Sequence, residues 1–154
     1  MTERFSARRA PGTQREYETI LILRPDLLDE AVADFNKKVV DLIDRNNGKL
    51  LHVETWGKRR LAYRINKQSK GQYYYWRFLA TNPLLDDLYH LSKVAEPVLR
   101  QLTVRVDDDV NPETRPADVD PVALNPTLRA KREAEEAAAA AAAKAAAEEA
   151  KAAE

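Results

Sequence analysis

The chain has 154 residues, contains no cysteine, and carries 25 Lys and Arg against 25 Asp and Glu. Its length fits one ordinary domain, and the lack of cysteine excludes disulfides and thiolate chemistry. No apolar run approaches the roughly 20 residues of a membrane helix, and the N-terminus lacks the apolar region of a secretory signal, so a soluble cytoplasmic protein is expected.

The first elements along the chain are a buried strand and an amphipathic helix. The apolar run EYETILILR at 16–24 predicts a central strand. After it, spacings of three and four predict a helix whose apolar stripe holds Leu28, Ala31, Val32, Phe35, Val39, Leu42 and Ile43. Asp26 or Asp29 is expected to cap this helix, and Gly48 is expected to end it with a positive φ.

Two further strands are predicted to follow as a hairpin. Residues 49–54 and 57–66 form an extended stretch that a bulge near Gly57 can bend. The polar sequence NKQSKG at 66–71 predicts a turn. The aromatic sequence QYYYWRFLAT at 72–81 then predicts a strand, because aromatic residues favour strands. About half of its aromatic side chains are expected in the core.

The next segment predicts a second helix and a last strand. Asn82 is expected as the N-cap and Pro83 as the first helical residue. One face of this helix holds Leu84, Leu85, Leu88, Leu91 and Val94. Within residues 98–107, apolar and polar side chains alternate from Leu102 onward, which predicts a strand with one wet face. Its core face is expected to hold Leu102, Val104 and Val106.

The element order β-α-β-β-α-β predicts an α+β fold, a ferredoxin-like sandwich. Two helices would cover one face of a four-stranded antiparallel sheet and leave the other face free for a partner. The expected domain covers residues 15–107, preceded by a flexible basic extension at 1–14.

The remaining residues have a different composition. Residues 108–130 contain four prolines and few large apolar side chains, which predicts an extended or disordered linker. Residues 131–154 are rich in Ala, Glu and Lys and predict a solvated helical or disordered tail with no core of its own. Removal of residues 111–154 is therefore expected to change the melting temperature by only a few degrees.

Enzymatic chemistry finds little support in the sequence. His52 and His90 have no nucleophile or ligand cluster beside them, and a surface or core histidine explains each. The acidic sequence at 107–109 lacks the spacing and the glycine of a calcium loop. No glycine-rich phosphate loop is present. We therefore expect a protein that is not an enzyme and that uses no metal, cofactor or small-molecule substrate.

The charge distribution favours an anionic partner. Residues 1–106 hold 19 cations and 13 carboxylates, whereas residues 107–154 hold 6 and 12. Between residues 56 and 77 there are seven cations, no carboxylate and several aromatic residues. Cations set against phosphates supply most nucleic-acid affinity, and RNA bases stack on aromatic or guanidinium planes. The segment therefore predicts RNA binding.

The sequence GKRRLAYRIN at 57–66 resembles the signature of the bacterial small-subunit ribosomal protein S6 family. That signature reads Gly, any residue, a basic residue, a polar or charged residue, Leu, Ser or Ala, Tyr, any residue, Ile, and a small or polar residue. The sequences at 15–27, 71–78 and 98–107 resemble the family's first, third and fourth strands. The likeness covers about residues 15–107 in order.

The resemblance implies a ferredoxin-like fold and a structural role in the small ribosomal subunit. It implies binding to the central domain of 16S rRNA together with the eighteenth small-subunit ribosomal protein. The RNA-binding residues expected from the basic segment and from family positions are Arg15, Tyr17, Lys58, Arg59, Arg60, Tyr63, Arg64, Lys67, Lys70 and Arg105. Two alternatives remain on the same fold: a module that binds a protein or small ligand through its open face, and an acylphosphatase-like enzyme.

Overall fold

The computed structural model describes residues 12–128, 131–134 and 138, and eight elements follow one another within them. They are β1 (Gln14–Leu23), α1 (Asp29–Arg45), β2 (Lys49–Ile65), β3 (Gln68–Ala80), α2 (Asn82–Val94), β4 (Val98–Val110), β5 (Asp118–Val119) and α3 (Pro121–Leu124). The strands lie in the order β4-β1-β3-β2-β5. The predicted β-α-β-β-α-β order is confirmed, with β1 and β3 in the middle of four antiparallel strands. The sheet nevertheless has five strands rather than four, because β5 pairs with β2 in parallel.

The main core lies between α1, α2 and one face of the sheet. Its principal members are Tyr17, Leu21, Leu23, Val32, Phe35, Val39, Ile43, Val53, Tyr74, Trp76, Phe78, Leu84 and Leu88. Side chains of a strand alternate between its two faces, so Tyr74 and Trp76 enter the core while Tyr73 and Tyr75 lie on the other face, as expected for half of the aromatic residues. We call that other side the open face.

The N-termini of both long helices differ from the predicted caps. Leu28, predicted in the apolar stripe of α1, is the exposed residue before the helix, and no side chain caps it. Asp26 instead accepts a hydrogen bond from Arg24 at 2.8 Å. For α2 the N-cap is Thr81 rather than Asn82, which is already helical.

The end of α1 uses its residues differently from the prediction. Asn47, with a φ of 54°, adopts the left-handed conformation that was expected for Gly48. Gly48 is required for another reason, since a Cβ at this position would lie 2.8 Å from the carbonyl oxygen of Leu79. The two asparagines and the glycine therefore end the helix together, with the backbone against β3.

The apolar side of β4 faces away from the helices, opposite to the prediction. Leu102, Val104 and Val106 are 58%, 51% and 46% exposed. Leu102 pairs with Ile20 of β1, whereas Thr103 pairs with Thr19, and the two hydroxyl oxygens lie 2.8 Å apart on the helix side. Because β4 is an edge strand, its helix-side positions meet hydroxyl groups rather than a complete apolar layer.

The segment predicted as a linker packs against the domain. β4 continues to Val110, which is buried with Leu51 and Leu79. Residues 111–124, which we call the C-terminal strap, then cross the sheet end and reach α1. Ala123 is buried in the core, and the structure therefore differs from an extended or disordered linker over this range.

Polar contacts hold the strap on both faces of the domain. The Asn36 amide of α1, itself buried, donates to the carbonyl oxygens of Ala123 and Leu124 at 3.3 and 2.9 Å. Lys49 donates to the carbonyl oxygens of Pro112 and Arg115 at 2.6 and 2.8 Å. Of the predicted tail, only residues 131–134 and 138 are described, and they are helical; its other residues and residues 1–11 lie outside the described range.

Candidate nucleic-acid interface

The basic segment forms the hairpin of β2 and β3. Asn66 and Lys67 connect the strands with φ values of 48° and 66°. Two successive positive φ values are typical of the tight hairpin turns that match strand twist. The turn therefore has two residues instead of the six predicted at 66–71, and β3 begins at Gln68.

Six cations of this hairpin are exposed, and none forms an ion pair with a described carboxylate. They are Lys58, Arg59, Arg60, Arg64, Lys67 and Lys70. Arg60 and Lys70 are direct cross-strand partners. Like charges directly opposite each other destabilise a strand pair. The hairpin thus holds Arg60 and Lys70 where their charges repel each other, and a bound anion would reduce this repulsion.

A bulge at Gly57 determines which hairpin side chains reach the open face. The pairing of β2 with β3 shifts between Thr55 and Gly57, and Gly57 has a φ of 74°. This confirms the predicted bulge. Upstream, His52 pairs with Arg77 of the open face, and downstream Arg59 pairs with Gly71. The extra residue therefore moves odd-numbered positions of β2, including Arg59, to the open face.

Planar side chains stack beside this bulge. The rings of Trp56 and Tyr75 are nearly parallel, 9° apart, with centroids separated by 5.7 Å. The guanidinium carbon of Arg59 lies 5.8 Å from the Trp56 ring centroid. Arg59 Nε donates to the carbonyl oxygen of Trp56 at 3.3 Å. Burial and a hydrogen bond with Glu18 raise the pKa of Tyr75 to about 12, so this phenol is neutral at physiological pH.

Tyr63 lies on the distal part of the hairpin and crosses toward β4. Its side chain is 59% exposed, and its hydroxyl oxygen accepts a hydrogen bond from Arg100. The Arg100 guanidinium also lies 5.4 Å from the centroid of the Tyr63 ring. Tyr63 is therefore exposed on the same hairpin as the six cations. Its neighbour Arg100 of β4 was not predicted from the sequence.

The other three expected residues lie away from the hairpin. Tyr17 is only 5% exposed, and the centroids of its ring and the Phe78 ring are 6.3 Å apart, so the Tyr17 ring belongs to the core. This burial does not favour the expected contact of Tyr17 with RNA. Arg15 donates to Asn82 Oδ1 at 2.7 Å. Arg15 and Arg105 both pair with Asp108, at 3.4 and 3.2 Å. Both arginines are therefore partly compensated by the protein itself.

A buried carboxylate lies on the open face near the strap. Glu16 is completely buried and pairs with Arg77 of β3 and with Arg115 of the strap, the latter at 2.5 Å. The hydrogen bond with Glu16 raises the pKa of Arg77. Arg77 is therefore a structural cation rather than a free member of the basic segment. The sequence contains no local signal for this cluster, because Glu16 and Arg115 are far apart along the chain.

The open face also carries an apolar strip beside the hairpin. We define the open-face strip as Ile20, Ile22, Leu102, Val104 and Val106. Register places Ile20 beside Leu102 and Glu18 beside Val104. Glu54 of β2 lies on the same face and its side chain is 56% exposed. Tyr75 of β3 separates Glu54 from Ile20, and Arg100 of β4 pairs with Ile22, so the strip is apolar in its centre and has charged residues of both signs around it.

Two kinds of feature are not found in the part of the chain that the structure describes. No three His, Asp or Glu side chains come close enough together to hold a metal ion. No helix there is long and apolar enough to span a membrane.

Both the sequence and the fold are similar to those of known proteins. The family model described as ribosomal protein S6 matches residues 16–105. The small ribosomal subunit protein bS6 of Geobacter metallireducens is 38% identical over 116 residues, which are 75% of this chain and 97% of that protein. The bS6 protein of Trichlorobacter lovleyi is 40% identical over 70% of this chain and 87% of its own length.

A solved structure agrees with these sequence relatives. The 30S ribosomal protein S6 of Thermotoga maritima superposes with a TM-score of 0.57 at 29% identity, over 60% of this chain and 88% of that one. The family match covers more than half of the chain and includes β2, β3 and most of β1 and β4. The chain belongs to the ribosomal protein S6 family.

Proposed function

We propose that this protein is a structural constituent of the small ribosomal subunit in the cytoplasm, where its β2–β3 hairpin binds the central domain of 16S rRNA. The observation that carries this proposal is the set of six exposed hairpin cations without a described ion-pair partner. A solvated protein surface usually mixes both signs of charge. An RNA backbone supplies the missing negative charge and relieves the repulsion between Arg60 and Lys70.

The rigidity of the hairpin supports the same proposal. A tight turn at Asn66 and Lys67 and the paired strands fix the cation backbone before any partner arrives. Groups that are already ordered lose less conformational entropy on binding. A preorganised row of cations therefore contacts phosphates at a smaller free-energy cost than a flexible basic tail.

We further propose that the eighteenth small-subunit ribosomal protein docks on the open-face strip. Leu102, Val104 and Val106 form an exposed apolar row on an edge strand, and contiguous apolar patches of this kind mark interaction sites. Glu18 lies beside Val104 and supplies a carboxylate at the edge of the strip, which favours a partner that carries a complementary basic group. RNA and protein would then use neighbouring but different parts of the molecule, which permits cooperative binding.

The rRNA proposal is tested by removing charge from the hairpin. The variant Arg60→Gln and Arg64→Gln in the full chain is compared with Lys37→Gln and Lys38→Gln, which removes two exposed cations of α1. Filter binding to a 16S central-domain transcript is measured across a range of salt concentrations. Each lost phosphate contact should reduce the slope of log affinity against log salt by about 0.7–0.9.

The control separates local contacts from general charge. We expect weaker binding and a flatter salt slope for the hairpin variant and little change for the α1 variant. Equal effects of the two variants, or no effect of the hairpin variant, would refute a specific contact between this hairpin and rRNA.

A further inference from the structure

Arg59 differs from the other hairpin cations in how its side chain is held. Its Nε donates to the carbonyl oxygen of Trp56 at 3.3 Å, and its guanidinium lies over the Trp56 ring at 5.8 Å. Trp56 in turn stacks on Tyr75. The guanidinium thus lies next to Trp56, which stacks on Tyr75.

The backbone makes this arrangement possible. Gly57 supplies the positive φ of the bulge, and nothing lies within 4 Å of the position where its Cβ would be. The bulge brings Trp56 and Arg59 to the same face, although they are three residues apart in a strand. Across the pair from Arg59 is Gly71, which has no side chain to cover the guanidinium.

Arg60 provides the contrast. Among the described residues, Arg59 is the one hairpin cation with an aromatic ring beneath it. Arg60 is exposed opposite Lys70 and has no such ring. The two neighbouring arginines therefore present different chemistry to a partner: a supported plane at Arg59 and an unsupported charge at Arg60.

We propose that Arg59, held in place by its hydrogen bond and its cation–π contact with Trp56, receives an unpaired RNA base on the plane of its guanidinium group. Guanidinium groups are planar and weakly hydrated, so they stack on flat partners. Bases of unpaired RNA stack on such planes. This inference rests on the proposed rRNA binding and assigns to Arg59 base stacking where the other hairpin cations contact phosphates.

The substitution Arg59→Lys tests the inference because it keeps the charge and removes the plane. The matched control is Arg60→Lys, one residue away. Both full-length variants are titrated with the 16S central-domain transcript at several salt concentrations, and thermal melts verify that each is folded. Arg59→Lys should weaken binding about fivefold or more, the lower end for a stacked base, with an unchanged salt slope. Arg60→Lys should bind like the natural protein.

A double-variant cycle tests the role of the support. Trp56→Ala should weaken RNA binding in the natural background and add little in the Arg59→Lys background, because the plane is already absent there. Additive effects of the two substitutions would overturn the claim that Trp56 acts by supporting Arg59.

The remaining outcomes separate this inference from the proposed function. If Arg59→Lys binds normally while Arg59→Gln binds weakly with a reduced salt slope, Arg59 contacts a phosphate and the stacking inference is wrong, although rRNA binding stands. If Arg59→Lys weakens only the association with the eighteenth small-subunit protein, the plane serves a protein contact and the inference is again wrong. If no hairpin charge variant affects RNA binding, the proposed function itself fails.

Discussion

Removing the C-terminal strap should strongly destabilise the domain. A chain that ends at Val110 loses the strap carbonyl groups that accept from buried Asn36. It also loses Arg115, which leaves the buried Glu16 carboxylate with Arg77 as its remaining ion-pair partner. These losses contrast with the sequence-based expectation that residues 111–154 contribute little to stability.

The magnitude follows from the groups left without partners. An orphaned buried amide costs about 1–3 kcal/mol, and loss of one hydrogen bond to a buried charge costs about 1.5–3 kcal/mol. Removal of Ala123 from the core adds roughly 1 kcal/mol. The total of about 3.5–7 kcal/mol is a large part of a typical domain's stability, which is about 5–15 kcal/mol. At about 4 °C or more for each kcal/mol, the melting temperature should fall by at least about 14 °C.

The assay is thermal and urea unfolding followed by circular dichroism. The matched control is a chain that ends at Leu128, which retains the strap and should melt within a few degrees of the full chain. The substitutions Asn36→Ala and Arg115→Gln should each reproduce part of the loss. If the chain ending at Val110 also melts within about 3 °C of the full chain, the strap contacts do not stabilise the domain and the reasoning is wrong.

Three further predictions concern the sheet. Gly71→Ala should lower the free energy of unfolding by about 1–3 kcal/mol, because its Cβ would lie 2.4 Å from Ile22 Cγ2. In denaturant titrations, Ile22→Ala should relieve part of this cost, and a double variant whose loss is the sum of the two single losses would argue against the clash. The double variant Leu102→Ser and Val104→Ser should abolish cooperative rRNA binding with the eighteenth small-subunit protein. Binding of RNA alone and the melting temperature should stay unchanged, because both side chains are exposed. Retained cooperativity would exclude the strip as the docking site. The pKa of Tyr75 is raised from 10.0 to about 12 in the folded state, so this phenol ionises at lower pH in the unfolded chain, and the free energy of unfolding should fall as the pH rises from 10 toward 12. Tyr75→Phe should reduce this fall in alkaline unfolding titrations, and an identical pH profile for the two proteins would contradict the raised pKa.

The sequence predicted the elements whose signals are local. The apolar run of β1, the stripe from Val32 to Ile43 and the bulge at Gly57 each depend on neighbours within a few residues. The basic hairpin was recognisable for the same reason, since its cations are close together along the chain. These local features are enough to locate most of the candidate RNA interface in the sequence.

Features that depend on distant partners were not predictable. The alternation in β4 predicted that Leu102 and Thr103 lie on opposite faces of the strand. It could not indicate which of these faces the helices cover, because that depends on the pairing of β4 with β1. The prolines of the strap favoured a linker, and nothing near Ala123 indicates a contact with Asn36 of α1. The support of Arg59 by Trp56 depends on a change of strand register, which the spacing of the two residues does not reveal.

The contact between Asn36 and the strap has a consequence during protein synthesis. The side chain donates to Leu124, which lies 88 residues later in the chain. At about 5–20 residues per second, this partner is made roughly 4–18 s after Asn36 itself. In the last part of that interval, once Val110 has been made, the chain has its hairpin and both long helices but lacks the segment that satisfies this buried amide. A polypeptide stalled near residue 110 would therefore expose to chaperones and proteases the part of the domain that the strap covers. This would be so even though every strand of the antiparallel sheet had already been translated.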